Sequence, residues 1–128
     1  MSDKFIVEII SPDRSILKTE SSEVIIPSYE GEMGILKNHI PLITFLRPGI
    51  IKIEGENETN FFIEEGTVEF SNNNLLILTS SAKKLSELNK DLINNLLTEA
   101  ENKINKNNLI DKEKYLLSHK IDTLRNIN

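Results

Sequence analysis

The sequence predicts an α+β fold, an N-terminal antiparallel β-sandwich followed by a C-terminal antiparallel two-helix hairpin. Three observations predict it. All four prolines (Pro12, Pro27, Pro41, Pro48) and all five glycines (Gly31, Gly34, Gly49, Gly55, Gly66) lie at or before position 66. Residues that interrupt helices are therefore confined to one part of the chain. Apolar alternation of period two runs through that same part, whereas later apolar residues recur at spacings of three and four, the period of an amphipathic helix. The expected boundary lies near Ala82, with residues 1–82 forming the sandwich and 83–128 the hairpin.

Phe5, Val7 and Ile9 alternate with Ile6, Glu8 and Ile10, the pattern of a strand with one buried face. Pro12-Asp13-Arg14-Ser15 supplies a turn. Further β-type runs are Val24–Ile26, Ile40–Leu46, Ile50–Glu54, Phe61–Ile63, Thr67–Phe70 and Leu75–Thr79. Turn signals separate them at Gly55-Glu56-Asn57, Glu65-Gly66 and Asn72-Asn73-Asn74. Gly31 and Gly34 predict a tight loop with Glu32 at its tip, since a positive φ costs glycine little. No helical pattern falls between these runs, which argues against a parallel βαβ sheet.

In the second part Leu92, Ile93, Leu96, Leu97, Ala100 and Ile104 form one stripe. Asn89 is placed to cap the helix, and Asp91 suits its first turn. Asn105-Lys106-Asn107-Asn108 is a poor helix interior and a good connection. A second helix is expected from about Asp111, with Leu117, Ile121 and Leu124 on one face and Leu116 and Ile127 flanking it. So short a link favours an antiparallel pair. Each helix has a single apolar stripe, so each needs a partner surface.

Composition narrows the function. A chain of 128 residues with 38% hydrophobic residues supports one compact domain or a small domain with an appendage. No apolar run is long enough to span a bilayer as a helix, and no secretory leader is expected. Cysteine is absent, which removes disulfides and thiolate metal sites and suits a reducing cytoplasm. Residues 1–82 carry six Lys/Arg against thirteen Asp/Glu, a balance of −7, while residues 83–128 carry nine against seven, or +2. Neither part shows the basic stripe of a nucleic-acid-binding domain.

Catalytic constellations are hard to find. The chain has no P-loop, and Gly31-Glu32-Met33-Gly34 makes a poor phosphate cradle because two carboxylates crowd it. His39 and His119, the two histidines, lie in different halves, so no convergent metal site is expected. Neighbouring acids such as Glu64-Glu65 fit an acidic surface without implying acid–base catalysis. On their own, Lys112, Lys114, Lys120 and Arg125 read as a solvated helix face, interleaved with Asp111, Glu113 and Asp122.

The order Pro27, Gly31-Glu32-x-Gly34-Ile35, His39-x-Pro41-Leu42, Leu46-x-Pro48-Gly49 resembles the signature of the epsilon subunit of the rotary ATP synthase, called delta in mitochondria. Glu65-Gly66-x-Val68-Glu69 followed by Leu76–Ala82 extends the likeness. In the helices it is weaker, carried mainly by Leu124-Arg125. That family has a β-sandwich followed by a helical hairpin, so the resemblance covers essentially the whole chain.

The resemblance implies a non-catalytic rotor part on the cytoplasmic face of the bacterial inner membrane, touching the membrane only through its complex. The sandwich would join the gamma shaft to the c-ring. Ser11, His39, Pro41, Leu42 and Thr44 would face gamma, and Glu30, Glu32 and Met33 the c-ring. The hairpin would swing between a folded and an extended position. When extended, Lys112, Lys114, Lys120 and Arg125 would meet the alpha and beta subunits of the catalytic head and impede hydrolysis. Many bacterial relatives open the first helix with Ile/Leu-Asp-x-x-Arg-Ala, whose Asp and Arg help hold ATP. The matching stretch here is Leu88-Asn89-Lys90-Asp91-Leu92-Ile93, so no bound nucleotide, metal or other cofactor is expected. The alternatives are a small cytoplasmic regulatory adaptor and a nucleotide-sensing module with the same sandwich-plus-hairpin plan.

Overall fold

A computed structural model describes residues 3–55 and 59–127. Its strands are β1 (Phe5–Ile10), β2 (Ser15–Ser21), β3 (Glu23–Ser28), β4 (Gly31–Leu36), β5 (Leu42–Leu46), β6 (Gly49–Ile53), β7 (Thr59–Ile63), β8 (Gly66–Ser71), β9 (Asn74–Leu78) and β10 (Lys83–Lys84). A 3₁₀ turn over Leu85–Glu87 leads into helices α1 (Lys90–Ile104) and α2 (Asp111–Arg125).

The strand order is β10-β7-β6-β3-β5-β8-β9-β1-β2, with β4 on the free edge of β3. The path turns over where β3 meets β5, since those strands pair only through Ser28 and Leu46. The two halves thus face each other as a sandwich. Phe5, Val7 and Ile9 of β1, Phe70 of β8 and Ile77 of β9 pack against Ile26, Ile35, Ile51 and Phe61 from the other layer. Phe5 and Phe70 meet edge to face with ring centres 5.6 Å apart.

Several features differ from the sequence expectation. Strand β2 was not expected, because its Ser-Ile-Leu-Lys-Thr-Glu-Ser run has only a weak alternation. The loop expected between Gly31 and Gly34 is instead strand β4, paired residue by residue with β3. The tip is Tyr29-Glu30, and Gly31 alone of the two glycines has a positive φ, of 125°. Glu32 therefore lies within β4 opposite Pro27, not at the tip. Strand β5 starts at Leu42 and not at Ile40. The ladder of β1 with β9 is parallel in an otherwise antiparallel arrangement. The turn expected at Gly55-Glu56-Asn57 lies, beyond Gly55, outside the described residues.

The other turns follow their residues. Asn72 and Asn73 take φ values of 50° and 59°, the left-handed pair that closes a two-residue hairpin. At Gly66 a Cβ would stand 2.8 Å from the Leu78 carbonyl oxygen. That atom belongs to the neighbouring strand and has little room to retreat, so a side chain is excluded there.

Both helices form. Asn89 Oδ1 accepts a hydrogen bond from the Leu92 amide at 2.8 Å, the expected N-cap. At α2 the N-cap residue is Ile110, whose amide donates to Glu113 Oε1 at 3.3 Å. The helices lie side by side, tied at one point by Arg125 Nη2 to Glu101 Oε2 at 2.6 Å. Their apolar stripes cover the outer face of β6 and β7. Fully buried Phe62 packs with Ile93 and Leu124, surrounded by Ile50, Leu88, Leu97 and Ile127. Among the described residues, no helix is long and apolar enough to cross a membrane.

Candidate interaction surfaces

Three surfaces follow from this architecture. The first is the outer face of the sheet β5-β8-β9-β1. Its registers align Phe45, Thr67, Leu78 and Ile10 in one row, and Ile43, Glu69, Leu76 and Glu8 in the next. Phe45 is 62% exposed and Ile43 72%, and Ile40 just before β5 is 74% exposed. Large apolar side chains left in water, with Glu69 between Ile43 and Leu76 and Glu8 beyond Leu76, mark a surface built to be covered.

The residues expected at gamma lie along this face and its ends. Ser11, just after β1, shares a groove with Phe45, Leu78 and Lys112. Pro41 is exposed at the far end. His39 is half-buried there, with its ring edge-on to Phe70 at 5.9 Å and Nδ1 donating to the Ile40 carbonyl at 2.7 Å. Leu42 and Thr44 stand on the opposite side of β5 from Ile43 and Phe45. Leu42 packs on the core, and Thr44 pairs with buried Val68. Ile43 and Phe45 were missed because the run from Ile40 to Leu46 is apolar at almost every position. Alternation is then silent about which residues point outward.

The second surface is the β3–β4 end. Glu30 at the tip and Glu32 on the strand are exposed, and Glu32 Oε2 lies 4.0 Å from Lys52 Nζ. Met33 alternates with them and packs against the core. The exposed chemistry of this end is thus carboxylate, with the thioether turned inward.

The third is the contact between hairpin and sandwich. Tyr115 Oη donates to the Tyr29 carbonyl at 2.6 Å, and the two rings are 5.8 Å apart. Lys120 Nζ forms an ion pair with Glu64 Oε1, and the lysine side chain is largely covered. Beside them an open cleft of about 1210 Å³ lies between hairpin and sandwich, lined by Arg47, Lys52, Lys90, His119 and Asp122 among others. Burial holds His119 below the ordinary histidine value; nearby Arg47 adds to the effect and Asp122 opposes it. Of the four hairpin cations expected to contact the catalytic head, Lys120 and Arg125 are held in ion pairs, while Lys112 and Lys114 are exposed. The sequence pattern gave no sign of this clasp, because its partners Tyr29 and Glu64 look like ordinary turn residues.

Among the described residues, no three His, Cys, Asp or Glu side chains come together as a metal site. At the start of α1, Asn89 is occupied by capping and Leu92 is half-buried, which leaves neither the acid nor the cation of the nucleotide-holding pattern at those positions.

Comparison with known proteins agrees with this architecture. The family profile for the ATP synthase delta/epsilon chain β-sandwich domain matches residues 4–85. An ATP synthase epsilon chain from Pelagibacter ubique is 48% identical over all of both chains. One from Dichelobacter nodosus is 36% identical, covering 79% of this chain and 72% of the relative. Among solved structures, a chain of the Euglena gracilis mitochondrial ATP synthase, from a cryo-EM structure of its OSCP/F1/c-ring assembly, superposes with a TM-score of 0.76 at 23% identity. It covers 98% of this chain and 79% of its own length. A chain from the central stalk and c-ring of the Tetrahymena thermophila mitochondrial ATP synthase gives 0.62 at 19% identity, covering 95% and 92%. At those identities the two structures speak to the fold alone, whereas the Pelagibacter likeness spans sandwich and hairpin together and disfavours an unrelated adaptor. On the family profile and these relatives, the chain belongs to the ATP synthase delta/epsilon chain family.

Proposed function

We propose that this chain is a non-catalytic subunit of the central stalk of an ATP synthase, joining the gamma shaft to the c-ring so that ring rotation turns the shaft. The observation that carries the reading is the exposed apolar surface of Ile40, Ile43, Phe45 and Leu78 on an otherwise acidic sandwich. Such a surface suits a permanent partner, and gamma docks on it, with Ser11, His39, Pro41, Leu42 and Thr44 along or beneath it. The β3–β4 end meets the c-ring through exposed Glu30 and Glu32, with Met33 packed on the core beneath them.

The chain divides near Ala82, as expected, into a rotor-docking part and a regulatory hairpin, except that β10 (Lys83–Lys84) still belongs to the sheet of the first part. Support comes from the separate apolar clusters, one inside the sandwich and one between hairpin and sandwich around Phe62. Released from its clasp, the hairpin frees Lys120 from Glu64, and Lys120, with Lys112, Lys114 and Arg125, which pairs with Glu101 inside the hairpin, engages the alpha and beta subunits and restrains hydrolysis. The complex holds the chain at the cytoplasmic face of the bacterial inner membrane, with no direct lipid contact. Mixing the purified chain with purified gamma tests the reading. A stable one-to-one complex on gel filtration is expected, and its absence would refute the assignment.

A further inference from the structure

We propose that His119 is a proton-operated release for the hairpin: when its imidazole gains a proton, the new charge in the cleft beside Arg47 weakens docking of the helices on the sandwich. The inference rests on the docked hairpin and not on the rotor role. It stands whether or not the hairpin restrains hydrolysis.

The geometry is that of an interface group. His119 lies on α2, on the side turned to the sandwich, and lines the cleft with Arg47 from the β5–β6 turn. One helical turn earlier, Tyr115 sets its ring edge-on to the imidazole at 4.5 Å and also holds the Tyr29 carbonyl. His119 therefore adjoins one of the two polar clasps. The other, Lys120 to Glu64, starts at the next residue in the chain.

The charges around the cleft make a proton unwelcome. From the sandwich come Glu32 of β4, Arg47 and Lys52 of β6; from the helices come Lys90 of α1 and Asp122 of α2. That is three cations against two carboxylates, and Glu32 already lies beside Lys52. Arg47 donates through Nη1 to the Pro48 carbonyl at 2.9 Å, while its Nε is buried with no hydrogen-bond partner among the described residues. An incompletely compensated guanidinium is a poor neighbour for a second positive charge. Burial acts in the same direction, with Asp122 as the opposing influence.

The sign follows from linkage. The docked state holds His119 below the ordinary histidine value of 6.5, and undocking, which removes Arg47 and the cover of the sandwich, moves it back toward that value. Docking is at full strength above the ordinary histidine value of 6.5. It weakens as pH falls from there through the lowered docked value, by at most about tenfold per pH unit for one proton. Below the docked value it levels off.

The test uses the full chain, which has no native cysteine. Spin labels at Ser80→Cys and Lys112→Cys, exposed residues lining one groove when the hairpin is docked, report the docked fraction by pulsed electron paramagnetic resonance. Between pH 8 and 5.5 the short-distance population is expected to fall. His119→Asn should remove that dependence whatever its effect on the docked fraction at pH 8, and Arg47→Gln should reduce it. In parallel, proton NMR should show the His119 ring titrating lower in the folded chain than in urea. A pH response unchanged by His119→Asn, a docked fraction independent of pH, or a folded His119 titrating at or above its urea value would each overturn the proposal.

Discussion

Replacing Phe45 by alanine tests the proposed shaft surface most sharply. Phe45 points away from the core at 62% exposure. A phenylalanine buries about 150–250 Å² when fully covered, so roughly 120 Å² remains open for a partner to cover. At about 25 cal/mol per Å² that area is worth roughly 3 kcal/mol on complete burial. Alanine keeps a minor share of it, leaving an expected loss of about 2 kcal/mol, or roughly thirtyfold in affinity. Fold stability should barely change, because the side chain makes little core contact. The paired assay is isothermal titration with purified gamma and thermal unfolding of the isolated chain. Leu42→Ala serves as the contrast, since Leu42 packs on the core and should cost stability. Unchanged gamma affinity for Phe45→Ala, with the fold intact, would refute the placement of the shaft on this face.

Other outcomes follow from the same structure. His39→Glu should weaken gamma binding several-fold while leaving the far-ultraviolet circular dichroism of the sandwich unaltered; titration with gamma checks it. Phe62→Ala removes the side chain under Ile93 and Leu124, and buried Phe-to-Ala changes cost about 3–5 kcal/mol. The hairpin should become protease-sensitive while the sandwich stays resistant, as read by limited proteolysis and mass spectrometry. The isolated chain should not bind Mg-ATP at micromolar concentrations. With Leu92 at the position of the arginine and Asn89 at that of the acid, about 1.5–3 kcal/mol of charge-assisted hydrogen bonding is forgone. Lys90 and Asp91 point about 100° per residue away and do not replace them. Calorimetry checks this, and a micromolar dissociation constant would revive the nucleotide-sensing reading.

The parts of the fold legible in the sequence are those governed by local rules. Strand β1 alternates cleanly because one face is buried, and α1 shows both its cap and its stripe within a single run. Strand β4 was hidden because Gly31 and Gly34 read as turn residues, yet only Gly31 uses a positive φ. Strand β2 carries Lys18, Thr19 and Glu20 on a thinly patterned run, so it left little trace. The parallel pairing of β1 with β9 joins segments from opposite ends of the sandwich, and no local pattern specifies a partner so distant. The same limit applies to the interaction surfaces. Motif resemblance pointed to the β5 region, but only the register of β5 with β8 separates outward Ile43 and Phe45 from inward Leu42 and Thr44. The clasp joining Tyr115 to Tyr29, and the cleft around His119, exist only once the hairpin has docked.

The most direct test of the rotor account removes the hairpin and measures coupling. Because β10 pairs Lys83 and Lys84 with Phe62 and Phe61, the cut belongs after Leu85, where the sheet is complete. Proton-driven ATP synthesis would be measured in vesicles carrying the synthase rebuilt with the full chain, with the shortened chain, or without either. The account predicts that both forms restore synthesis, with ATP hydrolysis by the shortened form equal to or above that of the full one. Loss of coupled synthesis with a folded, assembled short form would contradict it, because torque transmission would then require the hairpin and not the sandwich alone.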